Sequence, residues 1–313
     1  MEVLSALYAL EEIRNPVLDF IFSIITHLGE ETLFMAVGLT VYWCVDKIEG
    51  YYLLAVGGLG ALINNFLKMI FLIPRPWVID PEFTIVESAR AQATGYSFPS
   101  GHTQSSVGLY GGIALWQKNK AVKTVCIILC VLIPFSRLYL GVHTPMDVGV
   151  SYIIAIILAV VGYFVFKKAE NKTAILIPLL FAVVIFNIVY ICFVCLNRFP
   201  GSVYTENIAE YTGAVKNGFT LLGAVLGMTV SFFIDSRFIH FETKASLPIQ
   251  IIKTIGGFTL LLIAKELLKF PINAVLDANT WGSLLRYFII VAIAGGVWPM
   301  SFRFLSKEFR KKQ

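Results

Sequence analysis

Charge is scarce in this chain. Of its 313 residues, 14% are Asp, Glu, Lys or Arg, against 57% hydrophobic residues and a mean hydropathy of +0.77. That balance excludes an ordinary soluble domain. Cysteine is also sparse: Cys44, Cys126, Cys130, Cys192 and Cys195 all lie in apolar stretches, where a thiol packs as a small soft side chain. Their spacing offers neither a zinc site nor a disulfide framework. Histidine is rarer still, with His27, His102, His143 and His240 the full set. No cluster of acidic residues or of His and Cys has metal-ligand spacing, so no metal or other cofactor is expected. A basic leader is missing too, since residues 1–14 set Glu2, Glu11 and Glu12 against Arg14, and no cleavage is expected.

What the chain does have is long apolar runs. A helix needs roughly 20 apolar residues to cross about 30 Å of hydrocarbon. Runs near or above that length cover about 17–45, 51–73, 146–166, 173–196, 213–235, 247–268 and 283–305, and shorter ones about 101–116 and 121–140. The fold class is therefore all-α, a polytopic membrane helix bundle of about nine spans. Gly29-Glu30-Glu31 interrupts the first run, which is either one tilted helix or a short helix leading into a span. Before it, Val3, Leu4, Leu7, Tyr8 and Leu10 fall near one helical face, as in a helix lying along the membrane or a frayed start to the first span.

Three clusters occur in a fixed order, each at the end of an apolar run: Lys68 with Arg75-Pro76, then Pro99-Ser100-Gly101-His102, then Ser136-Arg137 with His143 and Asp147. A lysine inside an apolar span is costly unless it meets a partner or water, so Lys68 reads as a site residue. Arg75 follows at i+7, nearly on the same helical face, while Pro74 and Pro76 stop the helix. Ser100-Gly101 should open a helix whose unpaired N–H groups cradle an anion, with the Ser100 hydroxyl added and Gly101 allowing close approach. Thr144-Pro145-Met146-Asp147 has the form of a helix start, with threonine as cap and the carboxylate at the third position. Three fixed cations, backbone donors and two imidazoles are the parts a metal-free phosphoryl transfer requires.

The clusters resemble the type 2 phosphatidic acid phosphatase superfamily, which includes bacterial acid phosphatases, glucose-6-phosphatase and the vanadium haloperoxidases. The likeness is close from Lys68 to Asp147 and extends roughly over residues 15 to 168. It implies a six-helix phosphatase core in residues 1–170, with about three extra transmembrane helices in 171–313. It also implies roles. His143 is the nucleophile and forms a phosphohistidine, Asp147 holds its other nitrogen, and His102 protonates the leaving oxygen. Lys68, Arg75, Ser100, Gly101 and Arg137 bind the phosphate.

If the spans alternate, the cluster side carries seven further cations: Arg14, Arg90, Arg198, Lys216, Lys265, Lys269 and Arg286. The other side carries fourteen, among them Lys118, Lys120, Lys123, Lys167, Lys168 and Lys172, with Lys253 unassigned. The richer side should be cytoplasmic, which puts the clusters on the extracytoplasmic or lumenal face of a multi-pass cell-membrane protein and the C-terminus inside. The net charge of +5 is thereby explained without nucleic acid.

Thr94-Gly95-Tyr96-Ser97-Phe98 and Leu138-Tyr139-Leu140-Gly141 resemble the lipid-specific branch, so the expected partner is a phosphorylated lipid entering from the membrane lipids. The candidates are phosphatidic acid, phosphatidylglycerophosphate or undecaprenyl pyrophosphate. Arg75-Pro76-Trp77-Val78-Ile79-Asp80 and the nine spans resemble glucose-6-phosphatase, which leaves a soluble sugar phosphate open. A transporter that binds the anion without cleaving it is the alternative from another class. In the C-terminal half, Lys265 and Glu266 either pair, line an entry route or snorkel. The 197–212 segment, with Tyr204, Glu206, Glu210 and Tyr211, is a candidate cover for the site.

Overall fold

A computed structural model describes residues 4–170, 172–197 and 208–310, and no strand occurs among them. Some helices begin where a side chain takes up free backbone N–H groups. Asn15 accepts from Leu18 N at 3.1 Å with Pro16 at the first helical position, and Asn119 accepts from Ala121 N at 2.9 Å. In chain order the helices are α1 Ser5–Glu12, α2 Pro16–His27, α3 Glu31–Cys44, α4 Lys47–Phe71, α5 Pro76–Ile79, α6 Gly101–Trp116, α7 Lys120–Tyr139, α8 Pro145–Ala169 and α9 Leu176–Leu196. Three more follow: α10 Tyr211–Ile239, α11 Leu247–Asn273 and α12 Trp281–Leu305. Residues 198–207 of the candidate cover, including Tyr204 and Glu206, lie outside the described residues.

Seven of these helices are long and apolar enough to span a bilayer, and α2 with α3 makes an eighth as a pair bent by 45°. The break falls at the Gly29-Glu30-Glu31 interruption. The remaining expected span is α6, whose 16 residues reach about 24 Å at 1.5 Å per residue. Only 17% to 39% of each apolar window is buried in the protein. Ile153, Ile157, Val161 and Phe164, for instance, lie exposed along one face of α8. A stripe of that kind belongs against lipid.

The chain forms two compact units. One comprises residues up to Gly38 with Tyr52–Lys167, and the other Leu39–Tyr51 with the residues from Lys168 on. In the first unit Tyr52 donates to Ala159 O at 2.8 Å. Leu4, just before α1, and Leu7 within it are buried with Phe83, Ile85, Tyr139, Leu140 and Val142. One face of the N-terminal helix is thus covered by protein.

In the second unit α10 and α12 meet backbone to backbone at Gly223 and Gly227, where an added Cβ would strike Leu284 O and Phe288 O. Lys47 pairs with Asp235 at 2.8 Å. Lys253, unassigned from sequence, is fully buried and donates to Glu242 O and Thr243 O at 2.9 and 3.1 Å. Lys265 and Glu266 are exposed, with no ion pair between them among the described residues.

Candidate active site

All eight residues singled out from the clusters fall in the first unit, at the end of α4, the start of α6, the end of α7 and the start of α8. The α4 helix stops at Phe71, four residues before Arg75, so the two cations do not share one helical face as the i+7 spacing suggested. Pro74 and Pro76 account for the difference, because neither can continue the helix. Instead Arg75 stands extended at the entry to α5 (φ −70°, ψ 154°). Backbone carbonyls aim it: Nε donates to Gly95 O at 2.9 Å, Nη2 to Thr94 O at 2.6 Å and Nη1 to Val142 O at 2.9 Å. Lys68 Nζ donates to Tyr96 O, so one loop orients both cations.

Ser100 caps α6. Its Oγ accepts from Thr103 N at 3.4 Å and from Thr103 Oγ1 at 3.1 Å, which leaves its own O–H to donate. Ser100 N in turn donates to Asp147 O at 3.1 Å, tying the second cluster to the third. Gly101 and His102 supply the first N–H groups of the helix, and a Cβ on Gly101 would meet nothing within 4 Å. The space beside that backbone is open.

His143 lies in the turn between α7 and α8 and is 2% exposed. Asp147 serves three partners at once. Its Oδ2 accepts from Thr144 N at 2.7 Å while its own N–H donates to Thr144 Oγ1 at 3.3 Å, a reciprocal helix cap. The same oxygen stands 3.5 Å from His143 Nδ1 and accepts from Ser97 Oγ at 2.6 Å. Arg75 Nη1 lies 3.0 Å from the other imidazole nitrogen, Nε2. A proton on Nδ1 facing the carboxylate leaves the Nε2 lone pair toward the cations. Burial, then the charges of Arg75, Arg137 and Lys68, hold the His143 imidazole well below its usual pKa. That direction favours the neutral imidazole.

Arg137 is fully buried and donates from Nη1 to Thr26 Oγ1 at 2.6 Å. Its Nε and Nη2, and His102 Nε2, are buried donors or acceptors with no hydrogen-bond partner among the described residues. Buried polar groups are normally satisfied, so these three atoms mark where a ligand with several oxygens fits. Outside them, Arg75 and Arg90 lie over the Trp77 ring at 6.0 and 5.2 Å. Sequence reasoning missed two contributors. Ser97 sits in a stretch already noted for its resemblance, whereas Thr26 had no signal beyond standing just before the interruption at Gly29.

Residues 49–171 match the PAP2 superfamily, and residues 219–310 match the transmembrane extension of PAP2 superfamily phosphatases. Together the two stretches cover more than half of the chain. The chain belongs to the PAP2 superfamily. The first PAP2 stretch contains every site residue from Lys68 to Asp147, in line with the likeness read from the motifs.

Among curated relatives, a Dictyostelium discoideum protein named "probable sphingosine-1-phosphate phosphatase" is 30% identical over 73% of this chain and 56% of its own. Human sphingosine-1-phosphate phosphatase 2 is 23% identical over 84% of this chain and 64% of its own. An undecaprenyl-diphosphatase of Bacillus subtilis is 29% identical over 54% of this chain and 83% of its own. This PAP2 chain therefore spans less than two thirds of the length of the first two. No solved structure gives a significant match.

Proposed function

We propose that this PAP2 protein is a membrane-embedded phosphatase that hydrolyses a lipid phosphate through a phosphohistidine at His143. The observation that carries the reading is the setting of His143: a buried neutral imidazole with Asp147 at one nitrogen and Arg75 at the other. A substrate phosphate would displace Arg75 from Nε2 and take its oxygens to Lys68, Arg75, Arg137, the Ser100 hydroxyl and the first N–H groups of α6. Nε2 attacks phosphorus, the phosphorus–oxygen bond to the lipid breaks, and the leaving oxygen takes a proton from His102. Water then attacks the phosphohistidine with His102 as base, releasing phosphate and freeing His143. Asp147 keeps the Nδ1 proton in place throughout.

Two features favour a long-chain lipid monophosphate as substrate. The relatives that align over 73% and 84% of the chain are named for sphingosine-1-phosphate, whereas the undecaprenyl-diphosphatase aligns over 54%. The helix ends that carry the site are also where a headgroup would arrive laterally. The charge bias between loops supports an extracytoplasmic or lumenal site. The test is phosphate release by purified protein across sphingoid, diacyl, isoprenyl and sugar phosphates in detergent. Preference for a long-chain monophosphate, undisturbed by chelator and lost in His143→Asn, is expected. Preference for a sugar phosphate, or binding without release, would overturn the reading.

A further inference from the structure

Between α2 and α3 the chain breaks at Leu28, Gly29 and Glu30, and this break reaches the arginine of the third cluster. Thr26, 1% exposed, accepts from Arg137 Nη1 at 2.6 Å. Gly29 fits so closely that a Cβ there would stand 2.6 Å from Ile133 Cγ2 and 3.2 Å from His102 O. The break is therefore wedged between the start of α6 and the last turns of α7.

Its chemistry is unusual for the partner of a buried arginine. A guanidinium inside an apolar bundle is ordinarily matched by a carboxylate, since an unpaired charge there is heavily penalised. Here a neutral hydroxyl takes that place. Glu30, the nearby carboxylate of the same break, is bonded to His27 Nδ1 at 2.5 Å. A neutral acceptor fixes the direction of the planar fork without neutralising it, and Nε and Nη2 remain buried without a hydrogen-bond partner among the described residues.

We propose that Thr26 is a positioning residue that aims Arg137 at the substrate phosphate without tying it into a direct ion pair, which makes the α2–α3 break a fourth element of the phosphate site. The inference rests on the phosphatase reading above. It assigns a job to a helix that contributes nothing to the three clusters.

The test compares Thr26→Ser, Thr26→Val and Thr26→Asp, alone and with Arg137→Ala, in phosphate release from a long-chain monophosphate and in orthovanadate binding. Thr26→Val, nearly isosteric but unable to accept, should lower kcat/KM by about 10- to 100-fold and weaken orthovanadate. Thr26→Ser should restore both, and Thr26→Asp should fall to the level of Arg137→Ala. With Arg137 already removed, Thr26→Val should add no further loss. An equal loss with and without Arg137, or no loss in a folded Thr26→Val protein, would overturn the proposal. Orthovanadate binding that keeps this pattern while wild type releases no phosphate from any substrate would remove the phosphatase reading and leave Thr26's role standing.

Discussion

At His143 burial and charge act in the same direction, and the result can be read in stability as well as in chemistry. Its folded pKa lies well below the ordinary 6.5. Below that pH the unfolded chain therefore binds a proton that the folded chain refuses, and stability is lost as pH falls from about 6.5. Thermal midpoints in phosphate-free detergent should drop from pH 7 to pH 5, and His143→Asn should show the smaller drop. Asp147→Asn preserves shape but weakens an oxygen that serves Thr144 N, Ser97 and His143 together. It should lower kcat by about 100-fold or more with little change in KM, as steady-state kinetics would show. The sequence made the identities of these residues legible because each carries its own local signal, a cap, a proline or a glycine. Ser97 carries only the resemblance of its stretch and Thr26 no comparable signal, since their partners Asp147 and Arg137 lie 50 and 111 residues away.

Among the elements, α1 is the one whose job is least visible in the linear chain. It is braced against the two loops that flank the site. Glu11 accepts from Thr84 N at 3.1 Å, and Tyr8 donates to Asp80 at 2.8 Å. Arg14 donates to Thr84 O at 2.7 Å and to Tyr139 O at 2.9 Å. Below it, Gly141 adopts φ +78° only two residues before His143, and a Cβ there would stand 2.6 Å from Arg14 Nη2. Gly141→Ala should therefore reduce activity through both strain and the displaced arginine. Leu7 is fully buried, so Leu7→Ala should cost about 2–5 kcal/mol, checked by denaturation in detergent together with kcat. The amphipathic spacing of residues 3–10 foretold a helix but could not name its surface, because an apolar face reads alike whether lipid or protein covers it. In the same way the i+7 spacing of Lys68 and Arg75 suggested a shared helix, where two prolines and four backbone carbonyls do the aligning.

On the scale of the whole molecule, the long apolar helices were legible because hydrophobic length is dictated by the bilayer, although seven, or eight with the bent α2–α3 pair, meet that length against the nine expected. The bend in the first span was signalled by Gly29-Glu30-Glu31, which places two carboxylates inside an apolar run. The burial of Lys253 had no such signal, since its partners are main-chain carbonyls that any sequence supplies. Loop charge predicts orientation, and orientation decides which pool of lipid the site meets. Cysteine placed at Glu82 should react with an impermeant maleimide in intact cells, and cysteine at Lys118 only after permeabilisation. The reverse pattern would place the site on the cytoplasmic face.

The most direct test is rapid quenching of the purified protein with a ³²P-labelled long-chain lipid monophosphate. An acid-labile, base-stable phosphoryl label should form within one turnover, map to His143 and vanish in His143→Asn. Turnover with no such label, or a label that survives in His143→Asn, would contradict the assignment of His143 as the nucleophile.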